Sequence, residues 1–384
     1  MQISICSQIS EIEAQQWNAM VKDNHPFLKH EFLDALERYQ CVGEKFGWIP
    51  HHIAIYAQEK LIAAMPLYEK HNSYGEFVFD HAWAEAYQRH GFEYFPKLVS
   101  AVPYTPAQGQ RMLIADDYLM STNQHHDEIY DLLLNTAKKL GEHIGASGFH
   151  CLFPLQSEHE WLASRKLLTR HDCQFHWTNR GYADFDEFLS QLNSAKRKNI
   201  RKERRKVEQQ GITFRLLSGH TATEKDWQDF SRFYQHTFES KWGTATLNFD
   251  FFYAVAQRLP DQVLLVLADY DHHCIAGSLM YQSDKTLYGR FWGADKSVKQ
   301  LHFEACYYQG LDYCINKGLK TFEPGAQGEH KISRGFVPTL TRSSHLLLKP
   351  HFEQAIKQYV VQEQDAIASY MQQLNQHLPY KKDG

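Results

Sequence analysis

The sequence predicts an α/β fold in which one structural unit occurs twice in tandem. Short strings recur in the same order in both halves. They are Ile62-Ala63 and Tyr74-Gly75-x-Phe77 in the first half, and Ile275-Ala276 and Tyr288-Gly289-x-Phe291 in the second. Each half also has an amphipathic helix followed by Gly, a short strand and Pro. Self-similarity within a chain indicates a repeated unit. We expect units at residues 1–178 and 179–384, each a mixed, mostly antiparallel sheet flanked by helices.

The first half reads as a helix, a set of strands, a second helix and a last strand. Apolar residues spaced three and four apart predict the helices, and alternation or short apolar runs predict the strands. The helices are expected at 26–39 and 129–144, and the strands at 53–58, 61–68, 77–79 and 148–154. The segment 81–124 has no counterpart in the second half. Its prolines at 96, 103 and 106 predict an irregular inserted loop. This loop either covers a cleft, with Tyr104 and Arg111 facing a ligand, or only packs its aromatic side chains.

The second half repeats the order of helices and strands. Strands are expected at 263–268, 275–281, 287–292 and 318–324, and helices at 303–315 and 352–374. One further helix opens this half, at 185–210, between a capping box at Asp184-x-x-Glu187 and Gly211. Chemistry is expected mainly in this unit, because the first unit lacks the glycines that follow Pro324.

Composition narrows the class of protein. With 24 Phe, 21 Tyr and 8 Trp among 384 residues the chain is globular. No apolar run approaches the roughly 20 residues of a membrane span. The seven cysteines contain no C-x-x-C pair and the N-terminus has no signal-peptide pattern, so we expect reduced thiols and a cytoplasmic location. The 23 histidines show no metal-ligand spacing, and we expect no metal.

Positive charge is concentrated on the helix at 185–210. Between residues 194 and 206 there are eight Lys or Arg and one Glu, although the net charge of the chain is −4. Such a helix repels itself, which predicts an anionic ligand such as a nucleic-acid backbone, a lipid headgroup or a diphosphate-linked substrate. The alternative is a solvated face. The candidate phosphate-binding residues are Lys196, Arg197, Lys198, Arg201, Lys202 and Arg205.

The stretch 318–336 has the composition of a functional loop. Its nineteen residues place four glycines among two carboxylates, one imidazole and three cations. Glycine permits positive φ and close approach to a ligand, and clustered acids, bases and cations serve proton transfer and anion binding. The alternative is a surface turn with solvated charges. The candidate catalytic residues here are Glu323, Glu329 and His330.

Five motifs resemble the bacterial FemAB-like family, which is labelled peptidoglycan biosynthesis or recognition. They are the basic run Ser194 to Lys206, Phe233-Tyr-x-x-Thr-Phe-x-x-Lys-Trp-Gly243, Tyr288-Gly-Arg-Phe-Trp-Gly293, Leu301-His-Phe-Glu-Ala-Cys-Tyr-Tyr-Gln-Gly310 and Phe322-Glu-Pro-Gly-Ala-Gln-Gly-Glu-His-Lys331. The likeness covers nearly the whole chain. It implies two units of the GNAT acyltransferase fold, in agreement with the duplication.

The resemblance implies an acyl or aminoacyl transferase acting on an amine, but leaves the donor open. FemABX enzymes transfer amino acids from aminoacyl-tRNA to the peptide of a cell-wall precursor, whereas GNAT enzymes use acyl-coenzyme A. GNAT enzymes bind its pyrophosphate at Arg/Gln-x-x-Gly-x-Gly/Ala. Here the sequence is Arg290-Phe-Trp-Gly293-Ala-Asp295, in which an acid replaces the small residue. We expect no bound cofactor, with acyl-coenzyme A or aminoacyl-tRNA as candidate co-substrates.

An amine that attacks an activated carbonyl needs a base, an acid and donors for the developing oxyanion. Glu323, Glu329 or His330 is the candidate base, and Tyr288 or Tyr308 the candidate acid. The candidate substrate-binding residues in this unit are Arg290, Trp292, Gly325, Gln327, Gly328, Lys331 and Arg334. Two alternatives remain: a noncatalytic protein that binds an anionic cell-wall or lipid precursor, and an RNA-binding protein.

Overall fold

The computed structural model describes residues 1–122, 126–240, 243–326, 328–349 and 352–381. It divides into two compact units. The first comprises Met1–Asp172 with Leu340–Ser369, and the second Cys173–Thr339 with Tyr370–Gly384. The first unit thus takes in a late stretch of chain, whereas the division expected from the sequence placed all of 179–384 in the second.

The elements from the N-terminus to residue 178 are mostly short strands with interspersed helices. They are β1 Gln2–Cys6, α1 Ala14–Ala19, α2 His30–Arg38, β2 Trp48–Pro50, β3 His52–Ala57, β4 Lys60–Met65, β5 Tyr68–Lys70, α3 His81–Arg89, β6 Lys97–Ser100, β7 Leu113–Ile114, α4 Asp116–Thr122, α5 His126–His143, β8 Gly148–Leu152, α6 Gln156–Ser164 and β9 Leu168–Thr178.

The remaining elements begin with four helices and one strand, followed by longer strands. They are α7 Phe185–Ser190, α8 Ser194–Glu208, β10 Thr213–Leu217, α9 Glu224–Glu239, α10 Phe249–Arg258, β11 Val263–Tyr270, β12 His273–Gln282, β13 Thr286–Ala294, α11 Leu301–Phe303, α12 Gln309–Lys317, β14 Thr321–Glu323, β15 Val337–Leu347 and α13 Glu353–Asn375. A π-helical turn, Glu304–Tyr308, joins α11 to α12.

Each unit contains a mostly antiparallel sheet with one parallel pair of strands. The second unit has the order β10-β11-β12-β13-β14-β9, in which β13 and β14 are parallel. The first unit has β15-β8-β6-β5-β2, in which β6 and β8 are parallel, and a smaller sheet β1-β3-β4-β7. In both units an amphipathic helix, α5 or α12, precedes the second strand of the parallel pair and packs apolar side chains on the core. The predicted tandem α/β fold is therefore confirmed.

The helix expected at 185–210 is two helices. Chain direction changes at residues 191–193, where the Asn193 side chain accepts from the Lys196 backbone N–H and caps α8. A side-chain acceptor at this position satisfies an N-terminal N–H group that a continuous helix would bond internally. The basic residues all lie on the second helix, α8.

Two further sequence expectations for the first unit are wrong. The inserted segment 81–124 is not an irregular loop throughout, because it contains α3, β6, β7 and α4. Pro96 stands directly before β6, outside its hydrogen-bond ladder, which is a position a strand tolerates. No strand forms at 77–79, where Phe77 has φ of 58°. Within the described residues, no helix has the length and apolarity needed to span a membrane.

Candidate active site

Glu323 ends β14 at a point where the β13–β14 ladder stops. The ladder pairs Thr286–Tyr288 with Thr321–Glu323 and goes no further. Pro324 follows, which has no N–H to donate, and Gly325 then turns the chain with φ of 98°. The two strands therefore part immediately beyond Glu323.

The Glu323 carboxylate is partly buried and has few groups to bond to. Its side chain is 13% exposed, and its contact is with the His176 ring, whose Nδ1 lies 4.0 Å from Oε1. Within the described part of the chain it accepts no hydrogen bond from any other group. Burial raises the pKa of Glu323 to about 8, opposed by the positive charge of Arg290. Burial also lowers the pKa of His176 to about 4, so that His176 is a neutral neighbour near pH 7.

Arg290 lies at a β-bulge on β13. The register shifts there, because Leu279 of β12 faces Phe291 and Met280 faces Gly289, which leaves Arg290 without a facing residue. A bulge of this kind redirects a side chain and often lies beside a functional site. Burial lowers the pKa of Arg290 to about 10. It still carries its charge at neutral pH, next to the end of β14.

A small cavity of about 100 Å³ opens beside the bulge. It is large enough for roughly three water molecules, hence for the reacting groups of a substrate but not for a whole one. Its lining combines the bulge, the start of the α11–α12 segment and Pro324. The lining residues are Ser278, Gly289, Arg290, Phe291, Trp292, His302, Cys306, Tyr307 and Pro324.

Lys331 is a buried cation held by the glycine loop. It is 2% exposed, and its Nζ donates to the Gly325 carbonyl oxygen at 2.7 Å. Burial lowers the pKa of Lys331 to about 8. The loop can form because Gly328 has φ of 119°, and a Cβ there would lie 2.5 Å from Cε1 of His330. Glycine is therefore required at 328 for both conformation and space.

His330 contacts the π-helical turn. Its Nε2 lies 2.9 Å from the hydroxyl of Tyr307. Burial, followed by the charges of Arg334 and Lys331, lowers the pKa of His330 below its usual value. π-helical turns are rare and occur frequently at functional sites. The turn places Tyr307 in both the cavity lining and the contact with His330.

The side chains of Arg334 and Tyr308 both form hydrogen bonds with Glu203 of α8. The Arg334 guanidinium stacks 3.5 Å from the Phe303 ring centroid and donates to both carboxylate oxygens of Glu203 at 2.9 Å. Tyr308 donates to the same carboxylate. The geometry joins α8 to the loop, and the assignments of Arg334 to substrate and of Tyr308 to proton transfer stay predictions.

The other predicted site residues are placed as follows. Tyr288 is buried and faces Glu323 in the strand register. Glu329 is exposed and accepts from the Tyr370 hydroxyl at 2.7 Å. Gln327 lies outside the described residues. The structure thus brings Glu323, Arg290, Trp292, Lys331 and the glycines 325 and 328 into one region of the second unit, with Glu329 at its surface.

Tyr104 and Arg111 lie in the first unit, and both are buried. The Tyr104 hydroxyl donates to the Cys41 carbonyl. The Arg111 guanidinium donates to the carbonyls of Leu152, Gln110 and Ala107. These contacts fix backbone segments around the chain at 107–112. The assignment of both residues to ligand binding stays a prediction.

Carboxylates of other elements compensate some of the positive charges of helix α8. Arg201 pairs with Asp186 at 2.7 Å, Arg204 with Asp312 and Glu304 at 2.7 and 3.1 Å, and Lys196 donates to Ser333. The expectation of a single compensating Glu is therefore incomplete, because carboxylates from other elements contribute. Among the described residues, five cationic side chains of α8 have no ion-paired or hydrogen-bonded partner. They are Arg197, Lys198, Lys202, Arg205 and Lys206.

Sequence reasoning missed several residues of this region, including His176, Ser278, Cys306 and Tyr307. His176 comes from β9, far from the loop in sequence, and only strand pairing of β9 with β14 brings it to Glu323. The others look like ordinary core positions in the sequence. Within the described residues, no group of three His, Cys, Asp or Glu side chains is arranged to hold a metal ion.

The FemAB-like family model, described as peptidoglycan biosynthesis/recognition, matches residues 8–382. The chain belongs to the FemAB-like family. No curated protein sequence matches it. The predicted resemblance is thus confirmed over almost the full length of the chain. The matched residues include Glu323 and the loop that follows it.

Solved structures share the fold at low sequence identity. FemX has a TM-score of 0.54 at 11% identity, covering 92% of this chain and 99% of FemX. The C-terminal domain of a putative lysylphosphatidylglycerol synthetase from Agrobacterium fabrum also has 0.54, at 8% identity, covering 92% and 97%. A tandem GNAT protein from the clavulanic acid biosynthesis pathway has 0.44 at 8% identity, covering 91% and 99%. This FemAB-like chain is similar in fold to the first two over nearly their whole length.

Proposed function

We propose that this FemAB-like protein is an acyltransferase or aminoacyltransferase that moves an acyl group to an amine acceptor in peptidoglycan metabolism. The observation that carries the proposal is the Glu323 carboxylate, which is partly buried, lacks a hydrogen-bonded protein partner among the described residues, and has its pKa raised to about 8. A structural carboxylate in such a place would be paired. One that is unpaired and tuned toward neutral pH suits proton transfer.

Glu323 acts as the general base in this proposal. An amine acceptor arrives largely as an ammonium and must lose a proton before or while its nitrogen attacks the acyl carbonyl. A base works best when its pKa lies near the operating pH, and a pKa of about 8 meets that condition better than the ordinary value for glutamate. The C–N bond forms, the bond from the carbonyl carbon to the donor breaks, and the proton accepted by Glu323 passes on to the leaving group or solvent.

Arg290 and Lys331 supply positive charge close to the reacting carbonyl. Arg290 is partly buried and Lys331 is buried, and both are held by the backbone: Arg290 by the bulge and Lys331 by its bond to Gly325. Fixed charges in a site of low polarity stabilise a developing oxyanion more than the same charges do in water. Tyr307 lines the same cavity, and with its partner His330 it is the proposed route for proton return.

The aminoacyl-tRNA donor is favoured over acyl-coenzyme A by the contacts of Asp295. Its backbone N–H already donates to the Ile275 carbonyl at 3.0 Å, and its carboxylate pairs with Arg232. A pyrophosphate bound there would need that N–H and would meet that carboxylate. The free cations of α8, such as Lys198 and Lys202, are suited to a phosphate backbone instead.

The test is a transfer assay with two labelled donors. The purified protein is incubated with a nucleotide-linked peptidoglycan precursor and either radiolabelled acetyl-coenzyme A or a mixture of radiolabelled aminoacyl-tRNAs, and the label on the precursor is counted. We expect transfer from aminoacyl-tRNA. Lys198→Gln/Lys202→Gln should weaken use of the tRNA donor and lower its salt dependence, whereas Lys138→Gln/Lys139→Gln, on the exposed face of α5, should not.

Two outcomes would replace this proposal. Transfer from acetyl-coenzyme A alone would make the chain a GNAT-type acyltransferase despite Asp295. Binding of the precursor or of RNA without transfer from either donor would favour the noncatalytic function, which the free cations of α8 also suit.

A further inference from the structure

A second cavity lies within the first unit and is larger than the one beside Glu323. Its volume is about 240 Å³, enough for a molecule of roughly amino-acid size. It is formed by the chain at 78–79, the end of β8, the start of β9, β15 and one side of α13. The lining residues are Val78, Phe79, Phe153, Arg170, His171, Asp172, Thr341, Arg342, Ser343, Tyr359, Glu363 and Ile367. None of them is among the site residues predicted from the sequence.

Arg170 is a buried cation, and one nitrogen of its guanidinium group has no hydrogen-bond partner among the described residues. Its side chain is 7% exposed. Its Nε and Nη2 donate to Glu363 at 2.9 and 2.5 Å, and Nη2 also donates to the Phe79 carbonyl. Its Nη1 is buried and has no hydrogen-bond partner among the described residues. A buried guanidinium nitrogen without an acceptor is costly, so an acceptor from a ligand would stabilise it.

Two neighbours on β15 add to this arrangement. The Thr341 hydroxyl is buried and also lacks a hydrogen-bond partner among the described residues. The Arg342 side chain makes no ion pair or hydrogen bond with any described residue. Its charge contributes to lowering the pKa of His171, after the larger effect of burial. Two arginines and one threonine that have unused donor groups therefore line one cavity.

The charges and shape of the cavity favour a carboxylate over a phosphate. Guanidinium groups bind both anions through paired N–H groups. However, Asp172 and Glu363 also line the cavity, and they would repel a dianion more strongly than a monoanion. Apolar side chains complete the lining, namely Val78, Phe79, Phe153 and Ile367.

We propose that this cavity of the first unit is a binding site for a small organic carboxylate with an apolar group, held by Arg342, Arg170 Nη1 and Thr341 Oγ1. The site is separate from the transfer chemistry proposed above and does not depend on it. It gives the first unit a ligand of its own.

The experiment is a titration of a fluorinated ligand with the full chain, in which ¹⁹F NMR of the ligand measures binding. The probe is 4-fluorophenylacetate, and 4-fluorophenylacetamide serves as the uncharged match. For a ligand of this size we expect a Kd on the order of 1 mM. The amide should bind at least about tenfold more weakly, because it lacks the charge that the arginines bind. Inorganic phosphate should not displace the probe at concentrations near its Kd.

Two variants and one matched control test whether 4-fluorophenylacetate binds in this cavity. Arg342→Gln should weaken binding of 4-fluorophenylacetate at least about tenfold. Arg89→Gln, which removes the same charge from the exposed face of α3, should leave it unchanged. Thr341→Val should weaken binding severalfold while leaving the melting temperature equal or higher, because it removes a buried unpaired hydroxyl. A purely structural threonine would not show this combination.

The proposal is overturned by any of three results. They are the absence of saturable binding for both probes, undiminished binding in Arg342→Gln and Thr341→Val, and displacement of the probe by phosphate at lower concentration than by carboxylates. The last result would assign the cavity to phosphates instead. Should Arg342→Gln not fold, the Thr341→Val titration alone gives the decision.

Discussion

Glu158 in the first unit is a buried carboxylate and Glu323 in the second a partly buried one, and their hydrogen bonding differs. Glu158 accepts hydrogen bonds from the backbone N–H groups of Arg111, Met112 and Leu155, at 2.8 to 3.2 Å. Burial raises its pKa to about 7. Glu323 has a pKa raised to about 8, and its contact is an imidazole 4.0 Å away. The first carboxylate is held by backbone donors, whereas the second accepts no hydrogen bond from the described residues, as the proposed general base requires.

The segments that follow Pro154 and Pro324 show a second difference between the two units. After Pro154 the chain enters α6 within two residues, and this helix carries Glu158 and His159 inward. After Pro324 it passes through Gly325 and Gly328, both with positive φ, and Glu329 and His330 remain exposed. The same order of Pro, Glu and His thus has two uses in one chain. Glycine content, more than the identity of the charged residues, separates them.

The largest effect is expected from Glu323→Gln. If Glu323 is the base, this variant lowers kcat for transfer at least about 100-fold, because the amide cannot accept the proton. The change removes a buried ionisable group, so the melting temperature should not fall. Steady-state transfer and thermal unfolding measure the two. Full turnover in Glu323→Gln would rule out the assignment.

Glu158→Gln should show the reverse pattern. Its carboxylate accepts from three backbone N–H groups, and a glutamine amide would turn an N–H₂ toward at least one of them. We expect a loss of about 1–3 kcal/mol in the free energy of unfolding, measured by urea denaturation. The kcat of the folded protein should stay within about twofold. A large drop in kcat without loss of stability would mean that the two carboxylates are not distinguished as argued.

The smallest expected effect concerns glycine in the loop. Gly328→Ala places a Cβ in a positive-φ position against His330, whereas Gly181→Ala, the control, meets a similar φ in open space. Both should destabilise by about 1 kcal/mol through backbone strain. Only Gly328→Ala should also raise KM or lower kcat, because it moves His330. Equal kinetics in the two variants would argue that the loop conformation is not used.

The sequence predicted the fold because duplication and helical spacing survive in residues such as Leu311 and Ile315, which form the core. It also singled out Glu323, through the glycine-rich loop. It did not predict the break before α8, because the capping contact of Asn193 depends on a backbone angle. It could not predict His176 beside Glu323, since strand pairing over long sequence distance decides that contact. Nor could it tell that Arg201 and Arg204 are paired, because their acids come from α7, α12 and the π-helical turn.

The pH dependence of kcat/KM for transfer tests the central claim most directly. A general base acts only when deprotonated, so a base with a pKa of about 8 makes kcat/KM rise tenfold per pH unit below that value and level off above it. The comparison is made with Glu323→Asp, which keeps a carboxylate, and Glu323→Gln, which does not. We predict a rise that ends near pH 8 in the wild type, a displaced rise in Glu323→Asp and none in Glu323→Gln. The same rise in Glu323→Gln, or a wild-type profile already level at pH 5.5, would contradict the account.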